Sequence, residues 1–178
     1  MRYAKFCLLL LIAAIACPWQ ANATDDDTKI FHDLEYAEAS GQKMLLDLYV
    51  PKDAAGPLPV IVWFHGGGWR ATTKEPCKAL PLVSDGYAIA SVEYRLSKVA
   101  PFPAQIEDCK AAIRWLRAHA EEYHLDPKRF GAFAQSFSGG YLAALVGTAG
   151  NVSQWDKLGG NLDQSSRVQA VCEWYGAT

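Results

Sequence analysis

The chain has 178 residues, 51% hydrophobic and 20% charged, the composition of one ordinary globular domain rather than of a disordered or fibrous chain. Its net charge is −2 and its pI about 6.1, which excludes a general electrostatic attraction to nucleic acid or anionic lipid. No low-complexity run or fixed-period repeat is visible, so a solenoid or propeller is not expected.

Residues 1–23 read as a secretory signal peptide. Arg2 and Lys5 form a positive start, Phe6 to Cys17 is an apolar run, and Ala21-Asn22-Ala23 is an A-x-A cleavage site before polar Thr24-Asp25-Asp26-Asp27. The run is too short for the ~20 residues that span a bilayer, so no membrane span is expected. Ala14-Ile15-Ala16-Cys17 resembles a lipoprotein site only loosely. The expectation is a secreted or periplasmic protein cleaved after Ala23, with residues 24–178 as one domain of net charge −4. Cys77, Cys109 and Cys172 then remain, an odd number with no C-x-x-C, so neither a disulfide framework nor a zinc or redox motif is indicated.

The mature chain opens with two apolar-rich runs, Ile30 to Tyr36 and Met44 to Val50, separated by Ala39-Ser40-Gly41-Gln42. They predict a β-hairpin. Pro51 to Pro59 is proline-rich loop. Val60 to Phe64 is a continuous β-branched and aromatic run, as in a strand buried on both faces. Residues 74–84 should include a helix limited by Pro76 and Pro81, and Tyr87 to Glu93 another buried strand. Ser97 to Pro103 is loop. From Pro103 to about Tyr123 the residues Ile106, Cys109, Ile113, Leu116, Ala120 and Tyr123 recur at helical steps, with Arg114, Arg117 and Glu121 directed to solvent. Arg129 to Ala134 predicts a strand, Gly139 to Gly147 a buried helix, 151–166 a polar loop, and Val168 to Tyr175 a last strand. Strands alternating with helices give an α/β fold: a mostly parallel sheet with helices on both faces and an N-terminal antiparallel hairpin.

Two places carry chemistry. His65-Gly66-Gly67-Gly68-Trp69 ends a buried strand. Three glycines cost chain entropy, and what they allow is close approach of backbone N–H groups to a ligand, as in an oxyanion hole; the bland alternative is a tight loop. Trp69 would stand near a substrate. The second place is Ala134-Gln135-Ser136-Phe137-Ser138-Gly139-Gly140-Tyr141, between a strand and a small-residue helix, where a serine on a sharp turn presents its hydroxyl. Here G-x-S-x-G is not intact. Ser136 has Ala134 and Ser138 as flanks, Ser138 has Ser136 and Gly140, and a turn at Phe137 would be inert. A plain serine helix cap is also open.

Val60–Trp69, Glu93-Tyr94-Arg95-Leu96, Ala100 to Asp108 and Arg129–Leu145 together resemble the α/β-hydrolase fold. More narrowly they resemble the secreted carboxylesterases and hormone-sensitive-lipase-like esterases. The resemblance covers nearly all of 30–178. It implies a serine hydrolase acting on small-molecule or carbohydrate acyl esters, with no metal and no cofactor. Ser136 would be the nucleophile, with Ser138 as the alternative. The amides of the Gly66–Gly68 loop and of Phe137 would form the oxyanion hole. Counting from Arg129 places the nucleophile at Ser136, whereas the glycine-rich tail starts one residue late, so an inserted residue, taken up as a π-bulge, is expected near Ser138.

The acid and base of such a triad follow the serine in this fold. All four histidines, His32, His65, His119 and His124, precede it, and Asp156 and Asp163 come before the last strand. The resemblance therefore implies an incomplete α/β-hydrolase fold, its N-terminal part. The alternatives are a truncated, catalytically inactive hydrolase-like protein, or a prolyl-oligopeptidase-type peptidase suggested by the elbow's tail. The HGGGW loop speaks against the peptidase. Arg95 and Asp108 are expected to make structural contacts beneath the site, and Cys109 to be core.

Overall fold

The computed structural model describes residues 27–176; the expected leader and its cleavage site lie outside the described residues. The chain opens with β1 (Thr28–Ala39) and β2 (Gln42–Pro51), an antiparallel hairpin turned by Ser40 and Gly41. Both turn residues have positive φ, +53° and +72°, the tight-hairpin geometry that matches strand twist. The later strands are β3 (Leu58–Phe64), β4 (Ala88–Val92), β5 (Leu125–Gln135) and β6 (Ala170–Trp174). Their order across the sheet is β1-β2-β4-β3-β5-β6. β2 meets β4 antiparallel, whereas β3–β4, β3–β5 and β5–β6 are parallel. This is the expected mostly parallel sheet with an antiparallel N-terminal edge.

Strand alternation sorts the side chains. Val60, Val62 and Phe64 of β3, Ala88, Ala90 and Val92 of β4, and Phe130, Ala132 and Ala134 of β5 form one buried face. Helices α1 (Ala104–Ala118) and α2 (Ser136–Thr148) both pack on it, through Ile106, Cys109, Ile113 and Leu116 and through Leu142, Ala143 and Val146. On the other face Tyr49, Trp63, Ile89 and Phe133 meet Cys77, Ala79 and Val83. The helical layer there is one 3-10 turn, Leu80–Val83, in place of the helix expected over 74–84; prolines at 76 and 81 leave too few uninterrupted residues for an α-helix. Beside it Ile61, Phe133 and Trp174 border an open groove of about 780 Å3, on the sheet face opposite both α-helices.

Two expectations along α1 need correction. The helix stops at Ala118 rather than near Tyr123. His119 stacks on Trp115, and its Nδ1 takes the Trp115 carbonyl at 2.8 Å, which captures an end carbonyl and lets the chain turn to bury Ala120 and Leu125. Arg114 is not in solvent but 1% exposed, as is Lys110. Both reach Asp156 in the 151–166 segment, at 2.6 and 3.0 Å, and Lys110 also donates to the carbonyls of Ala149 and Val152. Long side chains bury their stems and charges when a carboxylate and carbonyls satisfy them. As expected, Cys109 is fully buried.

Candidate active site

β3 and β5 are parallel neighbours with Phe64 opposite Ala134, so the segments that leave their C-terminal ends emerge side by side. One is the glycine loop; the other is the start of α2. Ends of neighbouring parallel strands are where open α/β sheets bind ligands.

At the strand-to-helix joint Gln135 is extended and Ser136 has φ +74°. A non-glycine residue in that region stores strain, which is characteristic of functional turns. Ser136 is exposed, as a serine at a sharp elbow should be. A Cβ added to Gly66 would stand 2.7 Å from the Ser136 Cβ and 3.0 Å from its Oγ, so the serine side chain lies directly against the glycine loop. Gly139 closes the same contact from below: a Cβ there would meet the carbonyl oxygens of Phe64 and His65 at 2.7 and 2.9 Å. Helix α2 thus seats its first turn on the end of β3. It runs as an uninterrupted α-helix from Ser136, with no π turn taking up an extra residue. Ala134, where the elbow pattern has glycine, is fully buried in the sheet, so its methyl is accommodated.

Ser138 sits differently. Its side chain is fully buried in the first turn, facing the Tyr94 phenol, and its Oγ closes no good hydrogen bond. Phe137 is 53% exposed, and its ring stands edge-on to Trp69 with centroids 5.2 Å apart. Tyr141 approaches the same indole at 5.6 Å. The structure therefore brings together Ser136, Gly66, Gly67, Gly68, Phe137 and Trp69 on one rim and leaves Ser138 beneath it.

The loop itself is shaped by backbone constraints. Gly67 and Gly68 have φ of +98° and +62°, and a Cβ on Gly67 would lie 2.2 Å from the Ala71 carbonyl oxygen, so only glycine fits there. His65 supports the loop from the buried side. Its Nδ1 lies 2.8 Å from the Gly66 carbonyl oxygen and 2.9 Å from Thr72 Oγ1, and its ring stacks on Tyr94 at 4.1 Å. A carbonyl acceptor requires the proton on Nδ1, which leaves Nε2 as a buried lone pair without a partner. Tyr94 donates its hydroxyl to the His65 carbonyl at 2.7 Å. Thr72 did not stand out in the sequence, because a lone threonine carries no spacing signal, and Tyr94 appeared only within the Glu93-Tyr94-Arg95-Leu96 segment, with no role attached.

Burial pushes the His65 imidazole below its ordinary 6.5, against a smaller upward pull from the Gly66 carbonyl. The unfolded chain then binds the proton more readily. His65's contribution to stability is intact above about pH 6.5 and is lost as the pH falls from there through the folded value. Thermal melts should show wild type losing Tm more steeply between pH 7 and 5 than His65→Asn, which keeps a donor without titrating. Equal slopes would contradict this placement of the imidazole.

Below the site Asp108, fully buried, accepts from the Arg95 backbone N–H at 2.7 Å, from its Nε at 2.9 Å and from its Nη2 at 2.7 Å. Gln105 donates to the Arg95 carbonyl at 2.9 Å. The pair locks the segment that carries Tyr94 onto the first turns of α1.

Among the described residues, His32, Asp47 and Glu75 bring metal-ligand atoms within 4.8 Å of one another. The Lys74 ammonium, 2.7 Å from Asp47 Oδ2 and 3.1 Å from Asp33, already supplies the cation there.

The arrangement thus sets one exposed hydroxyl beside a glycine-rich loop at the ends of two neighbouring parallel strands. Known proteins agree in kind. The chain is 32% identical over 150 residues to the probable carboxylic ester hydrolase LipM of Mycobacterium tuberculosis, a match covering 81% of this chain and 34% of that protein. It is 37% identical over 102 residues to the carboxylesterase NlhH of the same organism, covering 56% and 32%. Its matches thus span about a third of the length of these curated relatives. Among solved structures, a truncated carbohydrate esterase from gut microbiota superposes with a TM-score of 0.78 at 32% identity, covering 86% of this chain and 59% of the other. With the BD-FAE family model matching residues 46–178, on an α/β-hydrolase fold shared with these esterases, the chain belongs to the BD-FAE family.

Proposed function

We propose that the protein is a serine hydrolase of the carboxylesterase type that cleaves small acyl esters, with Ser136 as nucleophile. The observation that carries this reading is the strained, exposed Ser136 packed against Gly66 at the end of the adjacent strand. Ser136 Oγ attacks the ester carbonyl. The amides of Gly67, Gly68 and Phe137 take the charge that develops on the carbonyl oxygen, each donor contributing about 2.7–4 kcal/mol by analogy with other oxyanion holes. The Phe137 amide belongs to the first turn of α2, whose N–H groups have no intrahelical acceptor. Ser138 is set aside as nucleophile because its hydroxyl is buried.

None of the four histidines serves as the base. His65 is committed to its loop; His124, whose carbonyl bonds to the Leu58 amide, lies at the opposite end of β3; His119 caps α1; and His32 stands beside Asp47 on the hairpin. The reading requires a base and its orienting carboxylate that the described residues do not supply. Trp69, Phe137 and Tyr141 would flank the substrate. A carbohydrate acyl ester is favoured by the likeness to a carbohydrate esterase. The leader-like residues 1–23 support an exported protein, which N-terminal sequencing starting at Thr24 would verify.

The test is chemical. The full-length protein is treated with a fluorophosphonate and the adduct mapped, alongside hydrolysis of p-nitrophenyl acetate and butyrate. An esterase of similar fold is known phosphonylated by cyclosarin, so the probe class suits the fold. The expected result is hydrolysis and labelling at Ser136. Labelling at Ser138 would move the nucleophile, and folded, unlabelled, inactive protein would favour an inactive hydrolase, the reading supported by the departure from G-x-S-x-G at Ala134 and Ser138.

A further inference from the structure

We propose that Thr72 is a positioning residue for the oxyanion donors; this rests on the reading of Ser136 as nucleophile. In a planar trans peptide the C=O and the following N–H point in opposite directions, so whatever fixes the Gly66 carbonyl aims the Gly67 amide. That carbonyl accepts from Thr72 Oγ1 at 2.8 Å and from His65 Nδ1 at 2.8 Å, with the Tyr94 hydroxyl, whose proton goes to the His65 carbonyl, 3.3 Å away. Two close donors on one carbonyl leave its plane little freedom. The Gly67 carbonyl is held in turn by the amides of Arg70 and Ala71 at 3.1 and 3.2 Å, which aims the amide of Gly68.

Thr72 reaches this place at a cost. It is exposed, and it is a β-branched residue at φ +67°, a backbone region such residues rarely occupy. Its hydroxyl bonds only within the loop, to Gly66 and His65, and a Cβ on Gly67 would come within 2.6 Å of it. The strained turn thus folds the hydroxyl back onto the peptide that supplies the proposed donor. An exposed residue held this way contributes its geometry to the loop, because it has no core contact to serve.

The test compares Thr72→Val, Thr72→Ser and Ser136→Ala in the full-length protein with p-nitrophenyl acetate. Valine keeps the shape and the β-branch and removes only the hydroxyl. The expected result is a fall in kcat of about 10- to 100-fold for Thr72→Val, the scale of small misplacements in a site, with KM and Tm nearly unchanged. Thr72→Ser should restore kcat to near wild type. If Thr72→Val keeps wild-type kcat while Ser136→Ala is inactive, the inference fails and the nucleophile stands. A loss in Thr72→Val that tracks a lower Tm and is not rescued by serine also overturns it, since that is a structural role. Wild-type activity in Ser136→Ala would remove the underlying reading itself.

Discussion

Replacing Ser136 with alanine in the full-length protein is expected to lower kcat for p-nitrophenyl esters by about 10⁴-fold or more, the scale of nucleophile removal in serine hydrolases. Ser138→Ala should cost far less, because its hydroxyl is sealed in the first turn of α2 and touches no open surface. On the proposed reading, removing the Ser136 hydroxyl takes away the atom that forms the acyl intermediate, yet leaves the glycine loop in place. Residual turnover over water, about 10³–10⁴-fold, would then report on the amides alone. Stability should change little, as Ser136 is exposed and makes no buried contact that alanine forfeits. Equal activity in Ser136→Ala and wild type would contradict the assignment.

The largest expected effect on stability is at Asp108. Its carboxylate is fully buried and satisfies the Arg95 amide, Nε and Nη2 at once. Asp108→Ala leaves the Arg95 backbone N–H and Nε without their acceptor, and the guanidinium keeps only the Ala104 carbonyl at 3.2 Å and the Glu107 carboxylate at 3.7 Å. Breaking one side of such a pair costs about 3–5 kcal/mol, a large share of the 5–15 kcal/mol that typical domains possess. Asp108→Asn retains an acceptor for one donor and should cost less. The effect should also reach the site: Arg95 follows Tyr94, whose ring stacks on His65 beneath the glycine loop. Urea unfolding gives the number, and a loss under about 1 kcal/mol would show that the pair is not an anchor.

The elements legible in the sequence are those whose partners are local or periodic. Val60 to Phe64 reads as a buried strand because every residue is apolar, and β3 is central in the sheet. Ser40-Gly41 marks the hairpin because both positions tolerate positive φ. The buried stripe of α1 was visible through Leu116, but not the early stop, which depends on the His119 ring taking a carbonyl. Nor was the burial of Arg114: its partner Asp156 lies 42 residues away in a segment without periodicity. At the site, the three glycines and the serine corner announced themselves by composition. Which serine occupies the corner did not follow from composition, since G-x-S-x-G is broken; the backbone distinguishes them, with φ +74° at Ser136 and a buried side chain at Ser138. Thr72 was illegible, and Tyr94 was visible only as part of a family-like segment, because what they do is hold or approach carbonyls 6 and 28–29 positions away.

The proposed function requires the Ser136 hydroxyl to face the amides of the glycine loop with a substrate carbonyl held between them. A crystal structure of the full-length protein after reaction with a fluorophosphonate measures this directly. The account predicts phosphorus on Ser136 Oγ, with the phosphoryl oxygen about 2.7–3.1 Å from the amide nitrogens of Gly67 or Gly68 and of Phe137. Phosphorus on Ser138, or a phosphoryl oxygen turned to solvent away from those amides, would contradict it.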